Sequence, residues 1–286
     1  MRRRSLIHLS LIIPLAGAGR PFRGLASFSV LADMLRQVAG GEIGVDTLVS
    51  IGGNVHEHES RPSDLNKIAR ADLIIVNGLG LDRWIDRLIA ASGFNAPVIT
   101  AGAAVTPRRL PGGITDPHAW HNPENGVLYV KQIEAGLLSL QGLDPAVIRR
   151  HATAYIAEIE NTDRWCAAKF AAIPPARRTI VTSHDAFGYF AARYGLTIVP
   201  VRGIEDSEPS ASEFASLVTR LKQHRGSVVF LENMTNPSLL TSLSQETGAR
   251  IGGTLYADSL SAESGPAPTY LDMVRYNTTT IVNALR

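Results

Sequence analysis

Between Pro145 and Ile173 the stretch "PAVIRRHATAYIAEIENTDRWCAAKFAAI" runs 29 residues without a turn signal. At about 1.5 Å per residue a helix of that length spans roughly 43 Å, the width of a domain. Pro174-Pro175 ends it, because proline removes the N–H donor a helix needs and restricts the residue before it. A second helical stretch, from Glu124 to about Leu140, precedes it with no strand between.

On either side the pattern is different. Upstream, "GLASFSV", "VDTLVSIGG", "DLIIVNG" and "APVITAG" read as strands, separated by helical stretches such as "VLADMLRQVAGG" and "LDRWIDRLIAASG". In the first of these helices Val30, Leu31, Met34, Leu35 and Val38 recur at helical spacing and Gly40-Gly41 supplies the stop. Ser63 is placed to cap the short helix "PSDLNKIARA". Downstream the rhythm resumes with "RTIVTS", "LTIVPV", "SVVFLEN" and "RIGGTLY", each followed by a helical stretch. Strand–helix alternation predicts parallel α/β sheets. The expected architecture is therefore two parallel-sheet α/β lobes joined by a single long helix. Its expected divisions are a first lobe over 26–143, a connecting helix over 144–175 and a second lobe over 176–286. One stiff connector predicts little clamshell motion. No internal repeat is evident.

The N-terminus stands apart. "MRRR" followed by "SLIHLSLIIPLAGAG" has the layout of a secretory leader, expected over residues 1–25 with cleavage between Ala16 and Ala26. Its apolar part is too short for a comfortable membrane span. Residues 1–20 hold four arginines and no acid, so the remainder has 24 basic against 26 acidic residues. The basic balance of the whole chain is thus partly the leader's, and no nucleic-acid footprint remains. Cys166 is the only cysteine, which excludes an internal disulfide. With no cysteine after the apolar run, a periplasmic protein without a lipid anchor is expected.

Five of the eight histidines fall in three loops. "GGNVHEHESRPSD" holds His56 and His58, "TDPHAWHNP" holds His118 and His121, and "IVTSHDAFGYF" holds His184. "TLYADSLS" adds Asp258 after a predicted strand. In open α/β sheets ligands bind outside the carboxyl ends of strands. Imidazole and carboxylate groups from these loops converging between the lobes would suit a divalent transition metal. Spacing alone does not choose between His56 and His58, or between His118 and His121. His8 lies in the leader, and His151 and His224 read as ordinary helix residues. The zincin pattern HExxH is absent.

"DPHAWHNPENG", "IVTSHDAFGYFAARYGL", "GIEDSEPSA" and "YADSLS" together resemble the metal-specific, cluster A-I solute-binding proteins of ABC importers. The likeness runs from "ASFSVLADML" to "YLDMVRYNTTTIVNAL", nearly the whole chain after the leader. It implies two α/β lobes bridged by a long helix, and a metal site in the cleft between them. Carried onto this sequence, it implies His56, His118, His184 and Asp258 as the ligands, with His58 where the family usually has tyrosine. It places Glu232, in "FLENMTN", as a supporting acid and His121 as a bystander. His58 is a candidate auxiliary or transfer ligand. Manganese-type members often carry glutamate at the position of His184, so histidine there favours Zn2+, with Mn2+ or iron(II) as the alternative. The family's zinc members often have a long histidine-rich loop before the "DPH" motif. Here that stretch is the short, basic "GAAVTPRRLPGG". The implied partners are a divalent metal ion and an ABC permease of the inner membrane. A metallochaperone is a further candidate, and a monomer is expected. The reading from a different class is a zinc-dependent periplasmic hydrolase.

Overall fold

The computed structural model describes residues 21–207, 209–223 and 228–286. The expected leader, with His8, and His224 lie outside the described residues, apart from the leader's last five positions.

The first lobe contains β1 (Phe22–Ala26), α1 (Ser29–Ala39), β2 (Ile43–Thr47), α2 (Pro62–Arg70), β3 (Leu73–Val76), α3 (Trp84–Ser92) and β4 (Val98–Thr100). All its strand pairings are parallel, in the order β2-β1-β3-β4. The lobe thus begins at Phe22, ahead of the boundary expected at residue 26. Leu25 and Ala26 are buried in a central strand whose register runs Phe22 against Ile43 through Ala26 against Thr47. Removing residues up to 25 would delete most of that strand.

After β4 come α4 (Pro123–Leu138) and α5 (Pro145–Ala171), the latter 27 residues long. Both start the same way: Pro occupies the first helical position and a side-chain oxygen caps the turn, Asn122 accepting from Glu124 N–H and Asp144 from Ala146 N–H. The second lobe holds β5 (Thr179–Thr182), α6 (Gly188–Tyr194), β6 (Thr197–Pro200), α7 (Ala211–Gln223), β7 (Val228–Glu232), α8 (Ser238–Thr247), β8 (Arg250–Leu255) and α9 (Tyr270–Leu285). Its strands pair in parallel in the order β6-β5-β7-β8. The two sheets therefore share one topology. This duplication is not visible in the sequence, because a buried strand constrains only apolarity and β-branching.

α2 differs from expectation at its start. Arg61 is the cap position, and the Asp64 carboxylate accepts its backbone N–H at 2.9 Å; Ser63 caps nothing. Proline at position 62 sets the first turn two residues earlier than the serine suggested.

Burial explains why the lobes hold together. One hydrophobic core runs through both, including Phe28 and Met34 of the first lobe, Trp120 and Tyr129 around α4, Ile159 and Phe170 of α5, and Phe190 and Tyr270 of the second lobe. Smaller clusters cover the outer sheet faces, around Ile74 and Ile85 in the first lobe and Val229 and Leu243 in the second. α5 packs on α1, α4, α6 and α9, so the connector is part of the shared core. Direct hydrogen bonds add to this seam. Tyr270 N–H donates to Asp33, Tyr270 O–H to the Trp120 carbonyl, and the Trp120 indole to the Ala257 carbonyl.

Candidate metal centre

Each of the four loops holds its side chain in place differently. His118 follows β4 through an irregular stretch closed by a bridge between Arg109 and Thr115. Asp116 Oδ1 accepts both the backbone N–H of His118, at 3.0 Å, and its ring Nδ1, at 2.9 Å. The other Asp116 oxygen accepts from Arg108 at 2.8 Å. A short 3-10 turn over Ala119–His121 then leads into α4.

His184 follows β5. Glu232, at the end of the neighbouring β7, accepts the backbone N–H of His184 at 3.1 Å and faces its ring Nδ1 at 2.5 Å. Asp258 follows β8 on a segment that crosses to the first lobe, where Leu260 N–H donates to Ser29 Oγ and Gly52 N–H donates to Ser259 Oγ. His56 sits in the loop after β2, its backbone N–H bonded to Asn54 Oδ1 at 2.9 Å.

These loops bring His56, His118, His184 and Asp258 together, with one donor atom from each lying within 4.8 Å of the others. The Nε2 atoms of His56 and His118 are 3.1 Å apart, and those of His118 and His184 are 3.3 Å apart. Asp258 Oδ2 lies 3.2 Å from His56 Nε2 and 3.3 Å from His184 Nε2, and Oδ1 lies 3.7 Å from His118 Nε2. A tetrahedron of donors about 2.0–2.1 Å from a central ion has edges of roughly 3.3 Å. With their Nδ1 atoms committed to carboxylates, His118 and His184 turn Nε2 toward the centre. Three imidazoles and a carboxylate drawn to one point form a group that could hold a cation.

Electrostatics fit that description. Burial opposes ionisation of Asp258, but the charge of His184 and the contacts with His184 and His56 outweigh it and hold the carboxyl well below its usual range. Burial likewise opposes a proton on His184, yet Glu232 and Asp258 together hold it well above the usual imidazole range. His118 goes the other way, because burial wins there. The neighbouring charge of His184 adds to burial in working against a proton on His118; Asp116 faces both His118 and Arg108, and Glu232 faces His184.

Comparison with known proteins gives the family. Residues 25–284 match the model of the ZnuA family, described as zinc-uptake complex component A, periplasmic. The chain belongs to this family. ZnuA-type proteins are periplasmic metal-binding components of ABC transporters. Among its relatives, the iron-binding protein YfeA of Yersinia pestis is 31% identical over 268 residues, covering 92% of this chain and 86% of that protein. The manganese-binding lipoprotein MntA of Halalkalibacterium halodurans is 32% identical over 269 residues, covering 93% and 89%. The periplasmic zinc-binding protein TroA of Treponema pallidum superposes with a TM-score of 0.88 at 26% identity, covering 93% of this chain and 99% of that one. The two-lobe fold with a single connecting helix is the one ZnuA-type proteins share.

The remaining histidines sort by their surroundings. His58 does not reach the other four: its Nε2 lies 3.0 Å from Asp64 Oδ2 and its ring 4.5 Å from that of Trp84. Its candidacy as an auxiliary ligand gains no support from these contacts. His121 is not a surface residue. It is 1% exposed, with its ring 4.6 Å from Phe187 and 5.4 Å from Trp120, and burial pushes it down to about 3. It packs as a neutral aromatic group. His151 lies against Gly40 at the α1 C-terminus, where a Cβ would meet its ring at 2.4 Å.

Sequence reasoning left the supporting residues Asp116, Arg108, Asn54 and Asp206 without roles. Asp116 had a visible signal, since it stands two residues before His118 in "DPH". The others act through contacts between distant segments, which no local pattern encodes.

Proposed function

We propose that this protein captures Zn2+ in the periplasm with His56, His118, His184 and Asp258 and delivers it to an inner-membrane ABC permease. The observation that carries the reading is the donor set: three buried or nearly buried imidazoles and one carboxylate at tetrahedral spacing. Imidazole-rich tetrahedral sites suit zinc, whereas manganese prefers more oxygen donors and higher coordination. The chemistry is coordination and release rather than catalysis. A zinc hydrolase needs an open coordination position and a free general base. Here four protein donors surround one point, and the neighbouring acid Glu232 is engaged by His184.

A second reading has its own support. Relatives named for iron and for manganese are 31% and 32% identical to this chain, which supports Mn2+ or iron(II) as the alternative cargo. Competition titration of the metal-free protein with Zn2+ and Mn2+ against a metal-sensitive chelator decides between them. Zn2+ should bind at least 100-fold more tightly; equal or tighter Mn2+ binding overturns the zinc assignment.

A further inference from the structure

His56 differs from the other two imidazoles. His118 and His184 each have a carboxylate on Nδ1, but among the described residues no carboxylate meets Nδ1 of His56. Its position comes instead through its backbone. Asn54 Oδ1 accepts the His56 N–H at 2.9 Å, and Asn54 Nδ2 donates to Asp206 Oδ2 at 2.9 Å. Asn54 and Asp206 are 152 residues apart and belong to opposite lobes. The sole side-chain amide of Asn54 thus joins a ligand of the first lobe to an acid of the second.

Asp206 is built for that contact. It is 4% exposed, and its backbone is left-handed at φ 58. Few residues other than glycine take that conformation, and aspartate is among the more tolerant. Its other oxygen accepts from Arg202 at 3.2 Å and its N–H donates to the Gly203 carbonyl. A buried carboxylate fixed in this way is a rigid post. The turn also edges a cleft of about 530 Å3 that includes His56, Ile204 and Glu205, so the catch stands at the open side of the centre.

We propose that Asp206, acting through Asn54, positions His56 across the cleft and so governs how fast the metal ion leaves. His118 and His184 are locked by acids of their own lobes, Asp116 and Glu232. His56 is the ligand whose loop must move for release, and the Asn54–Asp206 bond is the contact that movement breaks. The role gives a use to the "GIEDS" turn, which the coordination sphere itself leaves unexplained. It rests on the four-donor centre and adds a positioning pair to it.

The test exploits the polarity of the bond. Asn54→Asp keeps an acceptor for the His56 N–H but sets a second carboxylate against Asp206. Asp206→Ala removes the post. The exchange Asn54→Asp with Asp206→Asn restores a donor–acceptor pair with its direction reversed. Each protein is loaded with Zn2+, and release to excess chelator is followed by stopped flow. Co2+ replaces Zn2+ in parallel, and its visible bands report the ligand geometry. Each single substitution should speed release about tenfold and shift the Co2+ bands. The exchange should return release to within about threefold of the unaltered protein. Release rates unchanged in the single variants, or no recovery in the exchange, overturn the proposal. Should a single variant fail to fold, the exchange decides alone: slow release supports the catch and fast release overturns it. An unaltered protein that takes up neither Zn2+ nor Co2+ overturns the four-donor centre. Normal uptake with identical release in every variant overturns the catch only.

Discussion

Glu232 faces both the backbone N–H and the ring Nδ1 of His184, holding the imidazole at two points. A carboxylate in that place fixes the tautomer and raises the basicity of Nε2, the atom turned toward the centre. Replacing Glu232 by Gln keeps the size but offers an amide that can present N–H to Nδ1 and force the wrong tautomer. Zn2+ affinity should fall 10- to 100-fold, on the order seen when such supporting groups are lost. Asp116→Asn should fall less, because Arg108 already shares that carboxylate. Chelator competition on the two variants checks the order.

Zinc binding should expel a proton. In the metal-free protein His184 holds its proton above the ordinary imidazole range, while Asp258 stays ionised. The metal needs the neutral ring, so proton and ion compete. Between the ordinary imidazole pKa, about 6.5, and the raised value of His184, binding should release about one proton and tighten about tenfold per pH unit. The sign for metal-free stability is opposite. A raised folded pKa contributes stability fully present below the unfolded value and lost as pH rises through the folded one. Calorimetry of Zn2+ binding in buffers of different ionisation enthalpy counts the protons. A count of zero at neutral pH contradicts the His184 assignment.

Metal should raise the melting temperature in one transition rather than two. The four donors proposed as ligands come from both lobes, and the core is continuous through them. Zn2+ at 1,000 times its dissociation constant should add about 4 kcal/mol. Calorimetric scans with and without Zn2+ test this, and a chelator should reverse the gain. Two separable transitions would mean that the lobes unfold independently.

Overall dimensions should change little on metal binding. α5 packs along both lobes, and Tyr270 joins Asp33 of α1 to the Trp120 turn. Small-angle scattering should give indistinguishable radii of gyration for the metal-free and Zn2+-loaded protein. A marked contraction would show a lobe closure that this seam does not allow for.

Much of this was legible in the residues. Buried strands such as "LIIV" and the uninterrupted run from Pro145 carry signals in their own composition, because apolar periodicity and proline punctuation are local. The loops bearing His118 and His184 follow strands for the same reason. The shared strand order was illegible, since apolar strands look alike whatever their neighbours. So was the burial of His121, which depends on Phe187 arriving from the other lobe. Ser63 misled because a good capping residue stood one place from a proline that set the turn first. The Asn54–Asp206 contact had no signal at all.

The crossing segment between β8 and α9 has a consequence for how the protein is made. Asp258 is delivered to the centre by a stretch that docks on Ser29 and Gly52 near the other end of the chain. No run of consecutive residues contains the site, and a chain still being synthesised, or cut between its loops, carries only scattered imidazoles. If the proposed centre binds metal, retention of the ion becomes a readout of completed folding, since the four donors meet only in a finished molecule.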